Sequence, residues 1–300
     1  MRAAYLGPAG TNSHEALVAA GLAAENVSFP TVGAVVAAVQ EGAAEFALVP
    51  IENSREGAVA ATLDALVFDA PDVLIVGELV HRVSYCLAAA DAIAPDEVRT
   101  VHSHPQATGQ CARFLAEQLP GAAVIAAAST AEAMRAVAGG EALAGFTPHA
   151  AIGTQHAAAL YGAAVLAERI EDDAENATRF AWVAHAGSLG GGGDRADHGG
   201  LPATADHPAA PTAPIKTALV FWGGGDHAPG WLVDCLTEFS SRAISLTRIE
   251  SRPRRVGLGS YMFFCDLEGA AESAEIGAAI AGLRARCDSV RVLGSFPAAA

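Results

Sequence analysis

Aromatic side chains are scarce, at 6% of the 300 residues, which argues against the stacking platforms that single-stranded nucleic acids require. No apolar run approaches the ~18 residues of a membrane-spanning helix, and one of the longest, 32–39, is interrupted by Gly33. The N-terminus lacks signal-peptide character, because Gly7-Pro8 stops any apolar region almost at once. Cysteine is sparse: Cys86, Cys111, Cys235, Cys265 and Cys287 are odd in number and none stands in a C-x-x-C pair. That pattern excludes a disulfide framework or zinc ribbon and predicts a reducing, cytoplasmic setting. Cations are also short, and the net charge of −15 repels phosphate backbones, so neither nucleic acid nor membrane is expected as a partner. An anionic metabolite would have to be met locally, by N–H donors and one or two arginines, which salt screening beyond ~8 Å permits.

The charge is unevenly spread. Residues 1–186 hold 8 Lys and Arg against 21 Asp and Glu, whereas residues 215–300 balance 9 against 9. Between them, 187–214 is rich in Gly, Ala and Pro without apolar periodicity, and is expected to be a flexible linker. In the first part, apolar strand-like runs alternate with helical patterns, the rhythm of βα units on a mostly parallel sheet. Helices are expected over 13–23, 32–40, 57–68, 105–118 and 149–161, and Ser129-x-x-Glu132 is a capping box that starts another. A short strand is expected at 143–146. Two such series joined near 73–82 predict two lobes and a cleft, with a return hinge near 170–180. Ligands in these sheets bind beyond the carboxyl ends of the strands. After the linker the order βαββαβ predicts a ferredoxin-like module.

Four strings are candidates for chemistry. Gly7-Pro8-Ala9-Gly10-Thr11-Asn12 follows a strand and opens a helix, so first-turn N–H groups face outward to an anion. Neither G-x-G-x-x-G nor G-x-x-x-x-G-K-[ST] is present, so no nucleotide cofactor is implied. Glu52-Asn53-Ser54 places three hydrogen-bonding side chains at a strand's end. His102-Ser103-His104 lacks a third ligand at metal spacing, so no metal site is assigned; beyond it, Gln106 and Gln110 share a helix face and Cys111 is expected to be a buried apolar residue. Thr178-Arg179-Phe180 sets a hydroxyl beside a guanidinium suited to a carboxylate.

In family order, these strings resemble prephenate dehydratase, and the part after the linker resembles an ACT domain, on Glu250-Ser251-Arg252-Pro253 and Pro229-Gly230-Trp231-Leu232. The resemblance implies a two-lobed, periplasmic-binding-protein-like catalytic domain over 1–186 and an ACT domain over 215–300. It implies decarboxylative dehydration of prephenate to phenylpyruvate in phenylalanine biosynthesis, with no cofactor, because aromatisation drives the reaction. Thr178 would assist the leaving hydroxyl, and Asn53, Ser103 and Gln110 would hydrogen-bond the substrate. Arg179 would bind a substrate carboxylate, in a site shared with Thr11, Glu52, Ser54, His104 and Phe180. L-phenylalanine would inhibit at Gly230, Trp231, Leu232, Glu250, Ser251, Arg252 and Pro253, between two paired modules of a homodimer or homotetramer. Three positions depart from the family pattern: Asn12 where an aromatic is frequent, Trp231 in place of a small residue, and Ser245 where Asn is common. An arogenate dehydratase, or a non-enzymatic two-lobed ligand-binding protein, are the alternatives.

Overall fold

A computed structural model describes residues 1–140, 148–190 and 213–299, in three sheets. The chain opens with two parallel βα units: β1 (Arg2–Leu6), α1 (Asn12–Ala19), β2 (Glu25–Phe29), α2 (Val32–Gln40) and β3 (Phe46–Asn53), with β1 between β2 and β3. Helix α2 shows how the sequence writes itself: Val32, Val35, Val36 and Val39 are buried at 3- and 4-residue spacing, and the Thr31 hydroxyl accepts from the N–H of Ala34. The helix expected over 57–68 is instead strand β4 (Gly57–Ala58), helix α3 (Ala60–Asp64) and a π-helical turn at Ala65–Asp69.

The segment read as a connector, Val73–Arg82, is a ten-residue strand, β5. The chain then builds the second lobe from β6 (Cys86–Ala89), β7 (Thr100–Ser103), α4 (Pro105–Gln110), α5 (Ala112–Gln118), β8 (Ala123–Ala126), α6 (Thr130–Ala138), β9 (His149–Gly153), α7 (Gln155–Tyr161) and β10 (Ala164–Glu168). The expected helix over 105–118 is broken at Cys111, and that over 149–161 begins as a strand whose Ala150, Ala151 and Ile152 are wholly buried. The chain returns as β11 (Ala177–His185), which inserts between β3 and β5 and is antiparallel to both. Phe180 to Ala184 are buried on both faces, as befits a central strand. Both sheets, ordered β2-β1-β3-β11-β5 and β10-β6-β9-β7-β8, are therefore mixed rather than mostly parallel. The lobes are joined by residues 83–85 and 169–176, paired through Val83 N–H to Asn176 O and Ile170 N–H to Tyr85 O. These crossings flank β5 and β11 instead of lying in them, which moves the expected hinges by a few residues.

The third sheet is formed by β12 (Ile215–Trp222), α8 (Trp231–Ser240), β13 (Leu246–Pro253), β14 (Tyr261–Glu268), α9 (Ala274–Arg284) and β15 (Ser289–Pro297), in the order β13-β14-β12-β15. Alternation along β12 sends Leu219 and Phe221 toward the helices, while Ala218 and Val220 join a core shared with Val73, Ile75 and Leu66 of the first lobe. The C-terminal module is thus packed against the first lobe. Most of the expected linker, 191–212, and the expected strand at 143–146 lie outside the described residues. No helix among the described residues is long and apolar enough to cross a membrane.

Arg291 of β15 ties that packing. Its guanidinium donates to the carbonyls of Leu66, Ala70, Pro71 and Val73, at 2.7–3.2 Å. Arg291→Met should cost about 3 kcal/mol, because the carbonyls lose donors in a partly buried place. Denaturant melts of the two proteins check this, and an unchanged midpoint would contradict it.

Candidate active site

The two lobes face each other across a cleft of about 260 Å³, lined from both sides and from the crossing segments. Its floor is built on one facing pair of β3 and β11, where Asn53 lies opposite Thr178. The Asn53 amide is locked: its Oδ1 accepts from the N–H groups of Arg55 and Glu56, and its Nδ2 donates to Thr178 Oγ1 at 3.0 Å and to Asn176 Oδ1 at 3.1 Å. Because Thr178 Oγ1 accepts that bond, its own proton is free to be donated into the cleft. Asn176 passes the chain across the lobes, its Nδ2 donating to Gln110 Oε1 at 2.8 Å. What Gln110 offers the cleft is then its NH₂ end. Thr178, Asn53, Asn176 and Gln110 are all buried and all line the cleft.

Around this line the donors dominate. The N-termini of α1, in the first lobe, and α6, in the second, both open on the cleft, through Thr11, Asn12 and Ser13 and through Ser129 and Thr130. Each helix is capped by a side-chain oxygen, Thr11 accepting from His14 N–H and Ser129 from Glu132 N–H. The remaining first-turn N–H groups and the positive dipole end favour an anion. His104 accepts the Gln106 N–H at Nδ1, 3.3 Å away, which leaves Nε2 as the ring's donor. Burial pushes the Tyr85 phenol up to about 12, leaving it a neutral donor. Among the described lining residues there is no Lys, Arg, Asp or Glu.

The sequence nominated Thr178, Asn53, Gln110, Thr11, His104 and Phe180, and the structure brings these six to the cleft. It does not bring Arg179, which is a correction. Successive strand residues point to opposite faces, so with Thr178 and Phe180 in the cleft Arg179 faces away, onto Glu52, Glu78 and Asp266. Glu52 is removed from the cleft by the same alternation. Ser103 is fully buried and donates to Ile152 O at 2.7 Å, so it ties β7 to β9 instead of facing a ligand. The Ser54 hydroxyl is engaged by Asn176 and by the N–H of Ala177 and stands behind the wall. Asn176 and Tyr85 were missed, although Asn176 stands two residues before Thr178, where a strand's period of two puts it on the same side.

A second cavity, of about 210 Å³, lies in the C-terminal module between α8 and β14. Gly230, Trp231 and Leu232 line it, with Tyr261 and Phe263 as further aromatic wall. Trp231 is largely buried, and its indole N–H donates to Arg286 O. Glu250, Ser251, Arg252 and Pro253 do not line this cavity, because they lie on β13, at the edge of the sheet beyond β14. Arg252 instead forms a two-pronged ion pair with Asp64 of the first lobe, at 2.9 and 3.1 Å.

Behind the cleft the lobes are clasped. Tyr161 donates to Ala9 O at 2.7 Å, and the His156 ring meets His14 Nδ1 at 3.1 Å, which also accepts the Gly10 N–H. Gly10 has a φ of +86°, and a Cβ there would press on Ala157 and Tyr161 at 3.1 Å, so only glycine fits. Burial, and then His156, lowers the His14 pKa; burial, and then His149, lowers that of His102. Below the unfolded value of about 6.5 the unfolded chain binds more protons at these sites, so stability falls as pH drops through and below that value. Melting temperatures at pH 7.5 and 5.5 should show the loss, and His102→Gln should reduce it; a higher melting temperature at pH 5.5 would contradict the reading.

The comparisons agree with this geometry. The family model described as prephenate dehydratase matches residues 3–188. A curated prephenate dehydratase from Mycolicibacterium vanbaalenii is 38% identical, covering 98% of this chain and 90% of its own. The structure of a prephenate dehydratase from Arthrobacter aurescens in complex with L-Phe superposes with a TM-score of 0.82 at 31% identity, covering 99% of this chain and 90% of that one. A chain described as a novel type of quorum-quenching acylase superposes with a TM-score of 0.80 at 26% identity, covering 100% of this chain and 98% of that one. With a floor of Thr178 and Asn53, a family model spanning its whole first part and a relative matched almost end to end, the chain belongs to the prephenate dehydratase family.

Proposed function

We propose that the cleft converts prephenate to phenylpyruvate, and that the Thr178 hydroxyl, held by Asn53 and free to donate, assists the departing oxygen. The bond from the ring to its carboxylate breaks, carbon dioxide leaves, and the electron pair enters the ring and expels the hydroxyl on the opposite carbon. That oxygen leaves hydrogen-bonded by Thr178, takes its proton from solvent and departs as water, and the ring becomes aromatic. A threonine is a weak acid, so its contribution comes from a placed hydrogen bond that strengthens as charge grows on the oxygen. The helix N-termini of α1 and α6 hold the carboxylates without a fixed cation, and Tyr85 and Gln110 supply further donors.

The absence of a carboxylate from the described cleft wall supports prephenate over arogenate, whose ammonium group calls for a buried negative partner. The test is purified protein with prephenate and with arogenate. Phenylpyruvate forming from prephenate in preference to phenylalanine forming from arogenate is the expected result. Turnover of neither would leave a binding protein, or a hydrolase such as the acylase sharing this fold.

The C-terminal module acts, in the same proposal, as an ACT domain that senses L-phenylalanine in the cavity walled by Trp231, Tyr261 and Phe263. Support comes from the cavity's aromatic lining and from the Arthrobacter relative, which was solved with L-Phe bound. Two such modules would pair along β13, an edge strand with Ile249 exposed, continuing into a hairpin with exposed Val256 and Leu258. A cytoplasmic enzyme suits five cysteines that are all free.

A further inference from the structure

Arg179 is turned away from the cleft yet only partly exposed, with its guanidinium spread over three carboxylates. Its Nε donates to Glu52 Oε2 at 3.0 Å, Nη1 to Glu78 Oε2 at 3.1 Å and Nη2 to Asp266 Oδ2 at 2.8 Å. Burial alone would lower its pKa, but Asp266, Glu78 and Glu52 together raise it, so the charge is permanent.

Two features of this cluster bear on Thr178. Arg179 lies opposite Glu52 in the β3–β11 ladder as Thr178 lies opposite Asn53, and the register shifts immediately afterwards, between Arg179 and Phe180. The ion pair on the back of the sheet and the Asn53–Thr178 bond on its front are therefore neighbouring steps of one ladder, next to a bulge that would otherwise be the ladder's loose point. The other two carboxylates are held by the C-terminal module. Asp266 belongs to β14, is 1% exposed and receives both Nε and Nη2 of Arg248 at 2.9 Å. Glu78 receives Lys216 of β12 through its second oxygen, at 2.7 Å. Strand β14 also carries Tyr261 and Phe263 of the module's cavity, so a ligand pressing on that wall presses on the strand that holds Asp266.

We propose that Arg179 is a positioning residue that fixes the Thr178–Asn53 geometry, and that its ion pair with Asp266 carries the state of the C-terminal cavity to Thr178. The proposal rests on the dehydratase and phenylalanine-sensing assignments above. The ion pair suits the task because Asp266 Oδ2 is shared between Arg248 and Arg179, so a shift of β14 changes how firmly the guanidinium is held from that side. Lysine could not replace the arginine, since the three carboxylates are met from three different guanidinium edges or corners.

The test uses the full chain in four forms: wild type, Glu52→Gln, Asp266→Asn and Lys216→Met. Glu52→Gln should lower kcat for prephenate about three- to thirtyfold, the range of couplings through packed networks, with KM within about twofold. Asp266→Asn should still bind phenylalanine by calorimetry but lose most of the inhibition. Lys216→Met, at a partly exposed side chain, should weaken inhibition in the same direction and stands in should Asp266→Asn fail to fold. Folded variants with wild-type kcat and wild-type inhibition would overturn the proposal while leaving the dehydratase assignment intact. A wild type inert toward prephenate would instead remove that assignment, and this proposal with it.

Discussion

Thr178→Val should lower kcat for prephenate by about 10²-fold or more, the lower range for a placed proton donor, while KM stays within about twofold. Valine keeps the branched shape of threonine, so the packing of β11 survives and only the hydroxyl is removed. In the structure that hydroxyl accepts from Asn53 Nδ2 at 3.0 Å, which directs its proton away from the sheet. The bond it would make to the leaving oxygen strengthens only as the carbon–oxygen bond breaks, so its loss appears in kcat. Thr178→Ser, which keeps the hydroxyl but frees its rotation, should fall between the two. Initial rates of phenylpyruvate formation decide the matter: a valine variant turning over at the wild-type rate would take Thr178 out of the chemistry.

Asn176→Leu should damage both stability and turnover. The side chain is 1% exposed, its Oδ1 accepts from Asn53 and its Nδ2 donates to Gln110. Leucine is close in volume but leaves an acceptor of Gln110 unpaired, at about 1–3 kcal/mol for a buried group, while the Asn53 amide keeps Thr178 Oγ1 and Ala177 O as acceptors. With the cross-lobe link gone, Gln110 is free to turn its oxygen to the cleft, and Asn53 loses one of the three acceptors that fix its amide beside Thr178. A loss of about 10-fold to 10²-fold in kcat/KM is expected from such misplacement, together with a lower denaturation midpoint. A variant that melts early but turns over normally once folded would make Asn176 purely structural.

How far the sequence alone reaches is shown by the two neighbours Thr178 and Arg179. The motif marked both, and strand period two would have separated them, had 177–185 been read as a central strand covered on both sides instead of partly as a hinge. An arginine heading an apolar strand in an acidic chain points to an anion, so the sequence assigns Arg179 to a substrate carboxylate. Its true partners, Glu52, Glu78 and Asp266, lie 127, 101 and 87 residues away, and no local pattern announces such pairs. Strand β5 was hidden for a similar reason: Gly77 and Glu78 interrupt its apolar run, and Glu78 is buried only because Arg179 and Lys216 neutralise it. The break at Cys111 and the strand at His149–Gly153 were lost where apolar runs suit helix and strand equally. Where the local signal was complete, as in the Thr31-capped valine helix or the βαββαβ order of the C-terminal part, sequence and structure agree. The cavity in that part was half legible, because Gly230 to Leu232 face it whereas Arg252 is drawn off to Asp64.

A crystal structure of the protein with a ring-saturated prephenate analogue, which cannot aromatise, tests the assignment of the cleft most directly. The ring should lie between the lobes, its hydroxyl within about 3 Å of Thr178 Oγ1, a hydrogen-bond distance, and its carboxylates should rest on the first turns of α1 and α6. An analogue bound elsewhere, or one whose hydroxyl points away from Thr178, would contradict the assignment.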